Sequence, residues 1–184
     1  MSHPLNDPWT IFVAKKSPVG TYSDNLVSLS TVTTVEQFCD VFTQLQNPQY
    51  FPTGYGVFVC RSGYKPLWEK NPAGGTLSVR LHRSCAFVDF VWTKFVFSLI
   101  GEQFDDPNVV CCGFSCRSDY NLSIWINNAK SVTLKNRANQ KFISILHSTY
   151  TGSKFPLPVV EFVSHTEALE LRQQLESRPA EEST

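Results

Sequence analysis

Histidines and cysteines are the residues of this chain that could bind a metal ion or act as nucleophiles, and their spacing favours neither role. Cys112 and Cys116 lie close together, but no second close pair completes the ligand set of a zinc site. No Ser-His-Asp pattern, glycine-rich phosphate loop or pair of catalytic carboxylates stands out either. We therefore predict no metal, no cofactor and no enzymatic activity. The four histidines are scattered at His3, His82, His147 and His165.

The six cysteines are predicted to be reduced. An even number would suggest disulfides in a small secreted protein, but the N-terminus carries Pro4, Asp7 and Pro8 where a signal peptide would need a basic start and an apolar run. No apolar stretch is long enough to span a membrane. We therefore predict a cytoplasmic protein whose cysteines are core residues. They are Cys39, Cys60, Cys85, Cys111, Cys112 and Cys116.

Trp68 and Glu69 pair an aromatic ring with a carboxylate in a predicted loop that also contains Pro66, Pro72 and the pair Gly74-Gly75. The carboxylate offers only hydrogen-bond acceptors, and the indole offers a flat surface for stacking. Such pairs occur by chance, and a single tryptophan in a loop is more often a packing residue than a ligand contact. Taken alone, the pair does not assign a function.

Length and charge limit the kind of partner that this chain can bind. It has 184 residues, which fits one hydrophobic core, and we predict a single domain over residues 1–176 with a polar, frayed tail over 177–184. The formal net charge is zero, so the chain lacks the basic surface that would hold a long nucleic acid. Any contact with RNA must therefore be local.

The elements that must position these residues follow from the apolar pattern. Short apolar or alternating segments between turn residues predict strands. A capping box at Thr34 and Gln37 predicts the first helix, to about Gln46, and Gly101 ends the longest helix. Several strands interrupted by three main helices predict the α+β class, with helices on one face of an antiparallel sheet. The predicted strands are 10–15, 26–32, 55–61, 77–81, 109–116, 122–126 and 157–163, and the predicted helices after the first are 87–100, 131–147 and 167–175.

The run from Tyr55 to Glu69 reads Tyr-Gly-Val-Phe-Val-Cys-Arg-Ser-Gly-Tyr-Lys-Pro-Leu-Trp-Glu, and Gly74-Gly75 follows it. This run resembles the most characteristic stretch of the eukaryotic translation initiation factor 4E family. The resemblance extends from His3 to about His165, and the ordered set of fragments is more specific than any one of them. The other fragments are His3-Pro4-Leu5 with Trp9, residues 34–38, Asp89 with Trp92, residues 99–106, Arg117 and Ile124-Trp125.

The resemblance implies a curved antiparallel sheet with three helices on its convex face and a slot on its concave face for the 7-methylguanosine cap of messenger RNA. The two rings that hold the cap correspond to Tyr22, where the family usually has tryptophan, and Trp68. Methylation at N7 leaves guanine cationic, so a sandwich gains stacking and cation–π energy together. Glu69 would accept hydrogen bonds from N1 and N2 of the base. Trp125 would pack against the N7 methyl group, although a single tryptophan at this position could equally be a core residue.

The phosphate-binding side of the slot departs from the family pattern. Arg117 corresponds to the family's phosphate-binding arginine, although taken alone it could be a solvated residue at a strand end. Thr76 and Asn121 stand where the family usually has further cations. The resemblance therefore implies weaker phosphate binding unless Lys154 or Arg172 reaches over from the C-terminal loops.

A second family surface, on the convex side, is where a scaffold of the initiation factor 4G type or another 4E-interacting protein docks a short helix. It begins near Val35. Here the chain has Cys39 for a tryptophan, Thr93 for a leucine and Lys94 for a glutamate, so the usual scaffold motif should bind poorly or differently. Phe90 and Phe97 lie off the apolar stripe of their helix, and either the chain's own loops cover them or they bind a partner.

The resemblance thus favours a cap reader that delivers or sequesters capped messenger RNA, with an ordinary or hypermethylated cap, and that works as a monomer within a complex. An alternative is an adaptor that kept the fold and lost useful cap affinity. An enzyme that cleaves caps is disfavoured because no base or metal set accompanies the slot. Quenching of tryptophan emission by a cap analogue would separate the first two hypotheses.

Overall fold

The computed structural model describes residues 2–15, 20–150 and 156–177. Along these residues, seven strands and four α-helices are interspersed with two short 3-10 helices at Pro48–Tyr50 and Trp68–Lys70. The strands are β1 (Pro4–Lys15), β2 (Leu26–Thr34), β3 (Tyr55–Arg61), β4 (Gly75–Leu81), β5 (Val109–Cys116), β6 (Tyr120–Ile126) and β7 (Glu161–Ser164). The α-helices are α1 (Val35–Gln44), α2 (Val88–Ile100), α3 (Val132–Tyr150) and α4 (His165–Glu176).

All seven described strands form one curved sheet in the order β2-β1-β3-β5-β6-β4-β7, and every neighbouring pair is antiparallel. This confirms the predicted α+β class. The strand at 55–61 begins and ends where the sequence predicted it. The last strand is shorter than predicted and begins at Glu161.

The main hydrophobic core lies between one face of the sheet and the helices α1, α2 and α3. Alternate residues of β1 and β3, such as Ile11 and Val59, point into it and are fully buried. Helix α2 adds Val91, Phe95 and Leu99, which are spaced for one helical face. Because these three helices cover this face of the sheet, the opposite, concave face remains for a binding site.

The predicted cap of α1 is confirmed. Thr34 is the N-cap, and its hydroxyl accepts a hydrogen bond from the Gln37 amide at 3.2 Å. In return, the Gln37 side-chain oxygen accepts a hydrogen bond from the backbone amide of Thr33 at 2.9 Å. At the other end of the helical layer, α2 stops at Gly101, as predicted.

The fourth helix, α4, does not join the other three. It follows β7 at the edge of the sheet and packs against the 3-10 helix Trp68–Lys70. Gly74 and Gly75 allow this close approach, because a Cβ on Gly75 would lie 2.5 Å from the Phe162 ring and one on Gly74 would lie 2.6 Å from the Ile126 carbonyl oxygen. The Gly-Gly pair therefore brings the C-terminal segment to the Trp68 loop.

The prediction of six reduced cysteines is wrong for Cys60 and Cys111, which the structure joins by a disulfide. The two are direct partners on the antiparallel strands β3 and β5, and their Cα atoms lie 4.0 Å apart. Sequence alone could not reveal this pairing because the strand order brings together residues 51 positions apart. Cys112 is a buried thiol, and burial raises its pKa, as expected for a core cysteine.

Candidate functional site

A small apolar cluster on the concave face supports the candidate site. Its buried members come from β1, β3, β5 and β6, and Leu26 at the start of β2 and Tyr64 and Trp68 in the loop after β3 pack against it. The ladder between β5 and β6 shifts register between Val109 and Cys111, so Val110 and Cys111 both reach this cluster. The buried members are Phe12, Ala14, Phe58, Cys60, Val110, Cys111 and Trp125.

Trp68 and Glu69 lie on the 3-10 helix between β3 and β4. The loop is held by Asn71, whose side-chain amide donates to the carbonyl oxygens of Lys65 at 2.6 Å and Leu67 at 2.9 Å. Trp68 is half-buried against the concave cluster, whereas Glu69 is exposed. The loop therefore fixes the tryptophan ring and leaves the carboxylate accessible.

Trp125 lies on β6 in the same cluster and is only 6% exposed. Trp68 and Trp125 both contact the ring of His165, the first residue of α4. His165 stacks against Trp68 with centroids 5.9 Å apart and planes 21° apart, and it meets Trp125 edge-on at 4.7 Å. The structure thus brings together two of the predicted site rings and adds a third.

His165 is fully buried and its ring is hydrogen-bonded at both nitrogens. Nε2 lies 2.7 Å from the Thr76 hydroxyl, and Nδ1 lies 2.8 Å from the Asn71 carbonyl oxygen. Burial lowers the pKa of His165, and the hydrogen bond to Asn71 offsets part of that effect. Sequence reasoning missed this residue because only the folding of β7 onto β4 brings it beside Trp68.

Tyr22 lies in the turn between β1 and β2, which Thr21 and Asp24 close. Asp24 accepts hydrogen bonds from the Thr21 amide at 2.7 Å and the Thr21 hydroxyl at 2.9 Å. Tyr22 is exposed, yet surrounding protein raises the pKa of its phenol to about 12, and the charge of Arg117 offsets part of the rise. Because the charge of Arg117 affects the pKa of the Tyr22 phenol, the turn before β2 lies close in space to the turn before β6.

A cavity of about 320 Å³ is bordered by the loop that carries Tyr22 and the loop that carries Trp68, although neither ring is among its lining residues. Ser23 and Leu67, the chain neighbours of the two rings, both line it. Phe12 and Leu26 contribute apolar surface, and hydroxyl groups and a lysine complete the lining. The two loops therefore lie on the same side of the molecule, as the predicted slot requires. The remaining lining residues are Thr10, Ser28, Gly63, Tyr64 and Lys65.

Glu69 is already engaged by the C-terminal helix. A guanidinium nitrogen of Arg172 on α4 lies 3.2 Å from Glu69 Oε1, and Arg172 also pairs with Glu176 at 2.9 Å. All three side chains are more than half exposed. Arg172, predicted as a phosphate ligand, thus lies beside the carboxylate that is predicted to read the base.

Arg117 and Asn121, the other predicted phosphate contacts, flank the turn between β5 and β6. Arg117 is exposed, and Asn121 is half-buried opposite Arg80 of β4. Arg80 is a cation that the sequence analysis overlooked, since only the strand register sets it beside Asn121. It is largely exposed and lies 4.0 Å from Glu161. Lys154 lies outside the described residues.

The predicted partner surface combines residues of α1 and α2. Phe97 is 43% exposed and its ring contacts those of Phe38 and Phe42 at 5.5 and 5.4 Å, while Phe90 is 56% exposed. The described loops therefore cover neither ring. The exposed residues Val35 and Lys94 and the half-buried residues Cys39 and Thr93 complete the predicted set.

Two absences hold for the residues that the structure describes. No group of three or more histidine, cysteine or acidic side chains is arranged to hold a metal ion. No helix there has the length and apolar character needed to cross a bilayer. The contacts observed at the concave face are aromatic stacking, hydrogen bonding and ion pairing.

Comparison with known proteins points to one family. Residues 4–179 match the family model described as eukaryotic initiation factor 4E. Eukaryotic translation initiation factor 4E from Eremothecium gossypii is 26% identical over 176 residues, which cover 91% of this chain and 80% of that protein. The same factor from Saccharomyces cerevisiae is 28% identical over 175 residues, covering 91% and 79% of the two chains.

Solved structures share the fold. C. elegans eIF4E-3 in complex with the 4E-binding protein Mextli and a cap analog superposes with a TM-score of 0.81 at 21% identity, covering 92% of this chain and 96% of that chain. Ascaris suum eIF4E-3 in complex with an m2,2,7G cap gives a TM-score of 0.80 at 22% identity, covering 90% and 92%. At these identities the likeness establishes the fold alone.

Proposed function

Since this chain belongs to the eukaryotic initiation factor 4E family, we propose that it binds the 7-methylguanosine cap of messenger RNA and links the capped message to a translation initiation partner. The observation that carries the proposal is the convergence of Trp68, Trp125 and Glu69 at one end of the concave face. Relatives solved with a cap analog and with an m2,2,7G cap support the same ligand class. We propose a cytoplasmic, non-enzymatic role.

In this proposal the methylated base enters between Tyr22 and Trp68. The cationic ring gains cation–π attraction from both faces in addition to stacking, whereas unmethylated guanine gains stacking alone. The cavity bordered by Ser23 and Leu67, the chain neighbours of the two rings, supports this geometry. Trp125 offers a buried apolar surface to the N7 methyl group.

Glu69 reads the edge of the base in this proposal. Its carboxylate accepts hydrogen bonds from N1 and N2 of guanine, and adenine cannot supply this pair of donors. Glu69 is exposed, and Arg172 is its ion-pair partner among the described residues, so a base can reach it by displacing an exposed ion pair. Solvent screens exposed pairs of this kind, so the displacement costs little.

The phosphates of the cap extend toward Arg117 and the β4–β6 pair of Arg80 and Asn121. Arg80 adds a cation to a region where Thr76 and Asn121 supply none. We propose that Arg80 and Arg117 together bind the triphosphate, with Arg172 contributing once the base has released it from Glu69. Guanidinium groups suit this role because they bind phosphate oxygens in pairs.

A protein partner is proposed to dock on the surface formed by α1 and α2. Exposed Phe90 and Phe97 give this surface an apolar centre, and the ring contacts of Phe97 hold it in place. The C. elegans relative was solved with a 4E-binding protein, which supports a partner of that class. An amphipathic helix is the kind of segment that such a surface accepts.

Titration of tryptophan emission with 7-methylguanosine triphosphate tests the cap-binding proposal. Stacking on Trp68 should quench the emission, with half-saturation at about micromolar concentration, because stacking, cation–π and hydrogen-bond terms exceed association costs of at least about 4 kcal/mol. Guanosine triphosphate is the matched control and should quench only at much higher concentration. Folded protein that shows no quenching at near-millimolar cap analogue would overturn the proposal in favour of an adaptor without cap affinity.

A further inference from the structure

His165 occupies the centre of the aromatic group that the proposed function uses. It is fully buried, whereas the chain's other histidines, His3, His82 and His147, are exposed. Its ring stacks on Trp68 at 5.9 Å and 21° and approaches Trp125 edge-on at 4.7 Å. Both separations lie in the range where aromatic pairs attract each other. One ring of the C-terminal segment thus contacts both tryptophans of the concave face.

The hydrogen bonds of His165 indicate which ring nitrogen donates. The Asn71 carbonyl oxygen can only accept, so Nδ1 carries a proton and donates to it across 2.8 Å. Nε2 is then free to accept from the Thr76 hydroxyl, which lies 2.7 Å away. The arrangement satisfies a neutral imidazole at both nitrogens. It also ties the ring to strand β4 through Thr76 and to the Trp68 loop through Asn71.

We propose, building on the proposed function, that His165 is a positioning residue that sets the Trp68 and Trp125 rings for the methylated base and that Thr76 acts through it. Stacking by His165 covers one face of Trp68 and leaves the other for the ligand. A neutral ring is required here, because a second cation against the same tryptophan would weaken its attraction for a cationic base. Selectivity for the methylated base therefore depends on His165.

The backbone supports this assignment. The His165 amide donates to the Gly74 carbonyl oxygen at 3.0 Å, and a Cβ on Gly74 would lie 3.1 Å from His165 Nδ1. Thr76 is the Cα partner of Trp125 across the β4–β6 ladder. Strand β4 therefore holds the histidine ring through Thr76 and also places Thr76 opposite Trp125.

Four variants test the proposal: His165→Ala, His165→Phe, Thr76→Val and the double variant His165→Ala/Thr76→Val. We would measure binding of 7-methylguanosine triphosphate and guanosine triphosphate by each variant, with the near-ultraviolet circular dichroism of the tryptophans recorded without ligand. His82→Ala is the matched control, since His82 is exposed at the end of β4. Thermal unfolding of each variant shows whether it is folded.

Loss of the ring in His165→Ala should weaken binding of the methylated ligand about tenfold or more, a change of about 1.4 kcal/mol, with a smaller effect on guanosine triphosphate. His165→Phe restores a ring and should recover most of the selectivity and the tryptophan dichroism. Thr76→Val should weaken binding about threefold alone and add nothing in the His165→Ala background, because residues that act through one another are not additive.

Unchanged dichroism and unchanged selectivity in folded His165→Ala would overturn the proposal. It would also be overturned if the loss of affinity in the double variant equalled the product of the losses in Thr76→Val and His165→Ala. Failure of the proposed function is distinguishable, since the wild type would then bind no cap analogue at all. In that case the dichroism of His165→Ala and its recovery in His165→Phe still decide whether His165 positions the two tryptophans. If His165→Ala does not fold, Thr76→Val and His165→Phe carry the same comparison.

Discussion

Arg172 and Glu69 form an ion pair of 3.2 Å that joins the C-terminal helix to the loop after Trp68. The pair connects a predicted phosphate ligand with the predicted base reader, and it leaves Glu69 Oε2 without an ionic contact among the described residues. A guanine edge needs both oxygens for two hydrogen bonds. The pair therefore competes with the base for Glu69.

Removing this competition should favour ligands that lack phosphate. Arg172→Ala is expected to bind the nucleoside 7-methylguanosine up to about fivefold more tightly, the scale of one exposed ion pair. The triphosphate should gain less, because the variant also loses a cation. Equilibrium titration of both ligands checks this. Glu176→Gln is the informative counterpart, since it frees Arg172 for Glu69 and should weaken nucleoside binding. Weaker nucleoside binding by Arg172→Ala would instead mean that Arg172 orients Glu69.

Glu69→Ala should abolish discrimination between guanine and adenine while leaving the fold intact, since the side chain is exposed. Loss of two charge-assisted hydrogen bonds of about 1.5 to 3 kcal/mol each predicts a decrease in affinity for 7-methylguanosine triphosphate of at least about a hundredfold. Competition titrations with methylated guanine and adenine nucleotides measure both effects. Glu170→Ala, at an exposed position of α4, is the control. Retained discrimination in Glu69→Ala would remove its role as base reader.

Affinity for the cap triphosphate should change when a single charge is added or removed near Arg80 and Asn121. Asn121→Lys adds a cation beside Arg80 and is expected to increase affinity for the cap triphosphate about tenfold at low salt, with little effect on the nucleoside. Arg80→Ala should act in the opposite direction. Both effects should diminish as ionic strength rises. Lys94→Ala, on the far side of the sheet, should change neither affinity, and a similar response there would indicate a non-specific charge effect.

Acid should destabilise the protein in part through His165. Burial lowers the pKa of this side chain in the folded state. As the pH falls below about 6.5, the ordinary pKa of histidine, the unfolded chain binds a proton that the folded chain resists, so the free energy of unfolding decreases. The loss continues until the pH passes the folded pKa. Melting temperatures of the wild type and His165→Phe at pH 7.5 and 5.5 test this, and the phenylalanine variant should show the smaller decrease. Equal decreases would place the acid sensitivity elsewhere.

The convex surface can be tested without disturbing the cap site. Phe90→Ser should reduce capture of a 4E-binding protein in a pull-down while changing stability by no more than about 0.5 kcal/mol, because its ring is exposed. Phe97→Ser should reduce capture and also stability, since its ring contacts Phe38 and Phe42. Tyr50→Ser, another exposed aromatic position, serves as the control. An unchanged partner set with both variants would exclude these rings from the interface.

The sequence determined the elements of the fold. The apolar runs at 55–61 and 109–116, the capping box at Thr34 and the stop at Gly101 all depend on neighbours a few residues away, so their physical causes are visible in the chain itself. The family resemblance added Trp68, Glu69 and Trp125 as site candidates. It could not show which other residues surround them.

Only the tertiary structure decided what those residues touch. His165 meets Trp68, Arg80 lies beside Asn121, Arg172 pairs with Glu69 and Cys60 bonds to Cys111 because of strand order and register. None of these contacts follows from local periodicity, since each joins residues that lie on different elements. The chain therefore encodes its elements locally and completes the candidate site through long-range packing, where one buried histidine from the C-terminal segment contacts both tryptophans.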